Sequence, residues 1–473
     1  MPRIFVKNSR RGLHLKREHK NTEDEQVQKK ISCAARLAAK HENDSALHLI
    51  AGASNMEDCD KVAEKLINKN VNVNAQNRQG FTPLHIAIQA DNKAIFELLL
   101  KQDYLNVNLK TIEEHTPLYY ALLKYESGDT GDDSYAACLM KSDIQTNPLY
   151  SEYCNSLMQI LILNGAENAA IFLAVEVANL NHVNSEGETA LHIACSKNFS
   201  KLVLHLAKLG ANCNLLTNES RQSPLHYAVE SNSEDCIKVF IEFNEYIEGS
   251  DTSEPRVPCN FNLRDINGDT AISLALNKGY NHLVPVLIEG KADVNIRNGK
   301  DFTLLHQAIL NEDSKTAIFL LNHGVDINAK TTDYETPLQL AIHCHLANVV
   351  DALCTRGVDM SAPDRLGNCA LWAALDSDQE EIASILTLVE HRANINIRDS
   401  ENKTPLHIAI ENQHDEIITL LLSVPEIDLS LRDKFGLSPF AAALTFRNNK
   451  AAQAILDKLP SAAEQVSGLA DEF

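Results

Sequence analysis

Apolar residues along this chain fall into a short cycle that repeats with nearly constant length. From Thr303 the string Thr-Leu-Leu-His-Gln-Ala opens one apolar segment, Ile318 to Leu321 carries a second, and Gly324 closes it before the polar run Val325-Asp326-Ile327-Asn328. Both segments have the three-to-four spacing of a helix with one buried face. Thr303 is placed to cap the first helix through its hydroxyl. In sister cycles Pro83, Pro117, Pro224, Pro337, Pro405 and Pro439 follow the capping residue, where proline gives up an amide that has no intrahelical partner. Gly324, Gly290 and Gly210 read as helix stops that need positive φ. Asn77 with Gly80, Asn184 with Gly187, Asp265 with Gly268, Asp364 with Gly367 and Asp433 with Gly436 mark a tight turn between cycles. The predicted unit is helix, turn, helix and a hairpin-like finger.

The capping position recurs at Ser45, Thr82, Thr116, Thr189, Ser223, Thr270, Thr303, Thr336, Cys369, Thr404 and Ser438. The steps are 33–37 residues, apart from a long one after Thr116 and a shorter excess after Ser223. One such unit cannot bury its own apolar face, so stacked neighbours must complete the core. The predicted fold is therefore an all-α solenoid of about eleven helix-turn-helix repeats over 31–460, preceded by a basic, disordered leader at 1–30 and followed by a tail at 461–473. Insertions interrupt it near 125–153 and 246–260. In the first, the second helix is expected only around Leu157 to Leu163, with an irregular apolar piece from Ala169 to Val177. Asn147-Pro148-Leu149 there resembles an Asn-Pro-Phe turn with leucine in place of the aromatic.

Six histidines, His48, His85, His192, His226, His306 and His407, occupy the fourth position of the repeated tetrapeptide. One per repeat is too sparse for a shared metal, whose ligands lie about 2 Å from the ion. The ring is expected instead to tie its finger to neighbouring backbone or to the threonine hydroxyl. Trp372 takes this place in the repeat opened by Cys369, which lacks the hydroxyl cap and is a candidate soft spot. His343-Cys344-His345, the tightest His/Cys cluster, has no second ligand pair nearby, so neither a metal nor another cofactor is expected.

The 473 residues carry 43 Lys+Arg against 64 Asp+Glu, a net charge of −21. That balance speaks against a nucleic-acid surface and against direct adhesion to anionic lipid. Eleven cysteines without a Cys-x-x-Cys pair fit a reducing compartment. No P-loop, HExxH, GxSxG or GxGxxG motif occurs, so no enzymatic activity is expected.

The recurring tetrapeptide at this period resembles the ankyrin superfamily. Further along, Thr445 to Val466, TFRNNKAAQAILDKLPSAAEQV, is similar to the end of the ankyrin array in the rabankyrin family. That resemblance implies a protein-interaction scaffold whose partner is a GTP-bound early-endosomal Rab GTPase, acting in endocytosis or macropinocytosis. It implies a cytoplasmic location peripheral to early endosomes through protein partners. The BTB domain and FYVE zinc finger of that family have no counterpart in this sequence. The alternative is a cytosolic ankyrin adaptor, a ubiquitin-ligase or cytoskeletal linker unrelated to endosomes. Partner contacts are expected at the finger tips, with Arg78, Gln79, Glu186, Arg365 and Lys434 as candidates. Ankyrin fingers also serve an asparaginyl hydroxylase, whose preferred pattern is matched at Asn295 and Asn328.

Overall fold

The computed structural model describes residues 27–34, 36, 44–53, 58–142, 149–150, 155–177, 179–249, 256–365, 367–376 and 382–458. The basic leader through 26, the 461–473 tail and Asn147-Pro148 lie outside these. The chain forms two units, one of residues 1–219 with 249–257 and one of residues 220–248 with 258–473.

In the first unit five helix pairs follow one another: Ala46–Ala51 with Cys59–Asn68, Pro83–Gln89 with Lys93–Leu100, Pro117–Glu126 with Tyr135–Met140, Leu157–Leu163 with Glu167–Ala174, and Ala190–Ser196 with Ser200–Lys208. The second unit holds seven, from Pro224–Glu230 with Glu234–Gly249 to Pro439–Thr445 with Asn449–Lys458. Within each unit neighbouring first helices pack on one another, as Pro337–His343 does on Ala370–Asp376, and several neighbouring second helices do the same, as Ala347–Thr355 does on Ile382–Glu390. Each pair buries a small set of apolar side chains, such as Leu84, Ile88, Phe96 and Leu99. Each fully buried side chain of this kind contributes about 1.5–3 kcal/mol.

The expected helix starts are present. Thr82 has extended backbone, its hydroxyl accepts the His85 amide, and Pro83 occupies the first turn. The fingers are tight turns rather than ladder strands. Among the described residues the one strand pair is Leu149–Tyr150 with Asn155–Ser156, antiparallel.

Three expectations change. The repeat opened by Thr116 has its own second helix, Tyr135–Met140, reached through an eight-residue loop whose Asp129 accepts the Tyr135 amide at 2.9 Å. Leu157–Leu163 is instead the first helix of a further repeat, capped by Ser156, and Glu167–Ala174 is its regular second helix. The long step after Thr116 is thus a 40-residue repeat followed by one of 33. Ser-Leu-Met-Gln hid the anchor because glutamine does the work of histidine there. The second insertion begins later than expected: Tyr246 still belongs to helix Glu234–Gly249. Asn244 clamps the returning chain, donating to the Cys259 carbonyl at 3.0 Å and accepting its amide at 2.8 Å.

The third change is at Gly290, whose φ is −70°. Lys291, at φ 64°, takes the left-handed position that Gly324 holds at 77° one repeat later. Gly290 is needed for space: a Cβ there would lie 2.2 Å from the Phe261 ring.

Candidate interaction surface

Each finger is built by one side chain closing its own turn. The Asn77 side-chain oxygen accepts the amides of Gln79 and Phe81, both at 3.0 Å, while the Asn77 amide donates to the Phe81 carbonyl at 2.9 Å. Gly80, at φ 80°, completes the turn, and a Cβ there would come within 2.8 Å of the Ile112 amide nitrogen. Fingers are then tied to one another. The Gln79 carbonyl accepts the Ile112 amide at 3.0 Å, and the Glu186 carbonyl accepts that of Asn218 at 2.9 Å.

The tetrapeptide histidine locks finger to helix. His85 Nδ1 accepts the Thr82 amide at 3.1 Å and contacts its hydroxyl at 2.8 Å, leaving Nε2 to donate to the His115 carbonyl in the next finger at 3.3 Å. His48 does the same with the Phe81 carbonyl at 2.9 Å, and His407 with that of Leu437 at 3.0 Å. This is the structural role expected of these rings. Burial holds His85 and His306 down to about 4 and lowers His226 and His407. Where glutamine stands in the same place the geometry is kept. Gln339 Oε1 accepts the Thr336 amide at 2.9 Å, and Nε2 donates to the Asn368 carbonyl at 2.7 Å. Gln159 repeats this with Ser156 and Glu188. The Cys369 repeat is not bare at its helix start. Its buried thiol faces the amides of Leu371 and Trp372, so sulfur stands where the hydroxyl normally does.

The candidate tip residues are all exposed. Arg78 and Gln79 share the finger before Thr82, and Glu186 lies in the finger before Thr189. In the second unit Arg365 and Lys434 sit on fingers two repeats apart. Arg365 pairs with Asp333 of the preceding finger at 3.6 Å. Lys434 pairs with Glu401, lies 4.9 Å from the centre of the exposed Phe435 ring, and donates its amide to the Glu401 carbonyl at 2.8 Å. Hydrogen bonds from Lys434 and then Lys403 hold the Glu401 carboxyl below its usual range. Lys403 also reaches Glu411 on the first helix at 2.6 Å.

Two features were not foreseen. The asparagines near the finger bases run as a ladder. Asn262 Oδ1 accepts the Asp293 amide at 2.8 Å, Asn295 that of Asp326 at 2.8 Å, and Asn328 that of Asp359 at 2.9 Å. Asn295 also donates to the Gly324 carbonyl at 3.2 Å. Their sequence signal was the recurrence itself, yet only the fold shows that each amide reaches its neighbour's finger. In the first unit an aromatic cluster joins two repeats: His115 stacks on Tyr119 at 4.0 Å, and Phe81 meets Tyr120 at 5.6 Å. Ile86, Tyr120 and Leu123, on the same helices, are half-buried. His343 faces Glu335 at 3.7 Å, on the helix before the turn that holds Cys344 and His345.

The family described as ankyrin repeats in three copies matches residues 19–111, 47–147, 151–253 and 326–399. The many-copy description matches 287–341 and 388–443, and a single repeat matches 267–299. The chain belongs to the ankyrin-repeat family. It is 34% identical to mouse Rabankyrin-5 over 91% of this chain and 47% of that protein, and 34% identical to the human protein over 93% and 48%. The chain therefore spans about half the length of these relatives. It is also 29% identical to the mouse B-cell lymphoma 3 protein homolog over 50% of this chain and 51% of that protein. Among the described residues no helix is long and apolar enough to cross a membrane.

Proposed function

We propose that this ankyrin array is a non-enzymatic protein-interaction scaffold that engages a GTP-bound early-endosomal Rab GTPase and acts in endocytic trafficking or macropinocytosis. The observation that carries the reading is the 34% identity to Rabankyrin-5 along 91% of the chain, which extends well beyond a single repeat motif. The architecture supports the scaffold part. Fingers locked by backbone and histidine bonds are pre-organised, so little ordering entropy is lost on binding. Arg78, Gln79, Glu186, Arg365 and Lys434 would contribute polar contacts at the tips. Phe435 and the half-buried Phe81, Ile86, Tyr120 and Leu123 would supply apolar and aromatic area. A cytoplasmic location peripheral to early endosomes follows from such a partner. Pulldown of this chain with the Rab loaded with GTP or with GDP tests the reading; retention that ignores the nucleotide would reject it. A second reading, a ubiquitin-ligase adaptor, is favoured by 23% identity to the Arabidopsis E3 ubiquitin-protein ligase KEG over 70% of the chain. Capture of a ligase subunit in place of the Rab would select it.

A further inference from the structure

Three asparagines in the chain are followed by glycine: Asn164, Asn267 and Asn298. Glycine has no Cβ to keep its amide nitrogen away from the preceding side chain. The fold treats the three pairs differently. Asn164 ends helix Leu157–Leu163, its Nδ2 donates to the Tyr119 hydroxyl at 2.9 Å, and the Gly165 amide donates to the Ile162 carbonyl at 3.0 Å. After Asn267, the Gly268 amide donates to the Asp265 carbonyl at 3.1 Å. Among the described residues, neither the Gly299 amide nor Asn298 Nδ2 makes a hydrogen bond, and Gly299 is exposed.

The loose amide has a cause in the neighbouring repeat. At the same place on other fingers, Ile112, Asn218 and Lys434 donate to the carbonyls of Gln79, Glu186 and Glu401. The matching carbonyl for Gly299 is that of Asn267, which lies close but out of line: a Cβ on Gly299 would come within 2.1 Å of it. The side-chain lock is missing here too. His48, Gln339 and His407 each donate to the carbonyl at the base of the next finger. Ser273 stands in that position in the Thr270 repeat and donates to Asp269 at 2.7 Å and to Gln307 at 3.1 Å instead. The tip of the finger that carries Asn298 is therefore tied back to its predecessor by neither bond.

We propose that Asn298 is a site of spontaneous deamidation, in which the Gly299 amide nitrogen attacks Asn298 Cγ. The nitrogen loses its proton to water and bonds to Cγ. The Cγ–Nδ2 bond breaks, and Nδ2 leaves as ammonia with a proton from water. Negative charge develops on Oδ1 during the attack, and the amides of Lys300 and Phe302 already donate to that atom at 2.9 and 3.0 Å. The cyclic imide then takes up one water. Opening at Cγ gives aspartate, and opening at the backbone carbonyl gives isoaspartate. The array accommodates the first product: Asp265, Asp399 and Asp433 hold the same place on their fingers and accept the same two amides. Isoaspartate lengthens the backbone of the turn, and the contact between Gly268 and Gly299 has no slack for it, since a Cβ on Gly268 would lie 2.9 Å from the Gly299 nitrogen. One product adds a charge to a finger of the interaction surface, and the other opens that finger.

The experiment incubates the full-length chain at neutral pH, folded and in denaturant, and follows the peptides holding Asn164, Asn267 and Asn298 by mass spectrometry. In denaturant the three should convert at similar rates. In the folded chain Asn298 should keep most of that rate, while Asn164 and Asn267 are slowed at least roughly tenfold, because their amides must first be released by local opening. Folding that slows Asn298 as much as the other two overturns the proposal, as does conversion led by Asn267. Ser273→His, which supplies the missing lock, should slow Asn298 and leave Asn164 unchanged; an unaltered rate at Asn298 counts against the unlocked finger as the cause. Asn298→Asp should melt with wild type, and a large fall in its melting temperature would show that the array does not accept the product.

Discussion

At the scale of the residue, the buried histidines give the array an acid-sensitive side. His85 and His306 titrate near 4 in the fold, against an ordinary value of 6.5. The unfolded chain therefore binds more protons than the folded one between those limits, and stability rises with pH across that window. The contribution is fully present above about pH 6.5 and is lost as pH falls toward 4, at roughly 3 kcal/mol for each ring. Gln159 and Gln339 show that an amide can hold the same two bonds without titrating. His85→Gln with His306→Gln should leave the melting temperature at pH 7.5 close to wild type and flatten its fall between pH 6.5 and 4.5. A fall as steep as wild type in thermal melts across that range would show that these rings are not its source. The asparagine ladder belongs to the same scale. Hydroxylation at Asn295 or Asn328 requires the finger to open, because each side chain accepts an amide from the next repeat. We expect Asn328 to be modified at least as readily as Asn295, which also donates to Gly324. Peptide mass spectrometry after incubation with an asparaginyl hydroxylase should show a one-oxygen gain at both, and its absence would remove them as substrates.

At the scale of the element, stability rests on how each helix pair fills the space under the next. Leu202, Val203 and Leu206 form one face of helix Ser200–Lys208, and all three are fully buried. Leu206→Ala should cost about 2–5 kcal/mol, read as a lower denaturant midpoint. Gly290→Ala tests the opposite fault. Its backbone is permissible for alanine, but the added methyl meets the Phe261 ring at 2.2 Å. Overpacking of this kind costs about 1–3 kcal/mol. Pairing it with Phe261→Leu should recover part of the loss, and a double variant no better than the sum of the two would point to backbone strain instead.

At the scale of the whole molecule, affinity and stability should be separable. The Arg365–Asp333 and Lys434–Glu401 pairs are exposed links between fingers. Surface pairs of this kind add little to stability, because water and salt screen them. Reversing charge at Arg365 and Lys434 together should weaken partner binding in titration calorimetry while leaving the melting temperature within a few degrees of wild type. Full affinity, or an unfolded variant, would move the contact surface away from these tips. Arg78, Gln79 and Glu186, in the first unit, call for their own variants.

The repeat period, the capping residues, the first-helix prolines and the turn glycines were legible in the sequence because each is imposed by local backbone geometry. A threonine before proline, or a glycine at positive φ, needs no knowledge of its neighbours. The helix-locking histidines were legible in type, and the fold supplied their partners. The register around 125–175 was not legible, since Ser156-Leu157-Met158-Gln159 shares chemistry with the tetrapeptide but few letters. Nor was the role of Gly290, whose constraint is a ring about thirty residues away in sequence. The candidate tip residues could be placed on fingers from sequence alone. Their ion pairs and the asparagine ladder were decided only by tertiary structure, because each depends on which repeat lies next to which and how closely they approach.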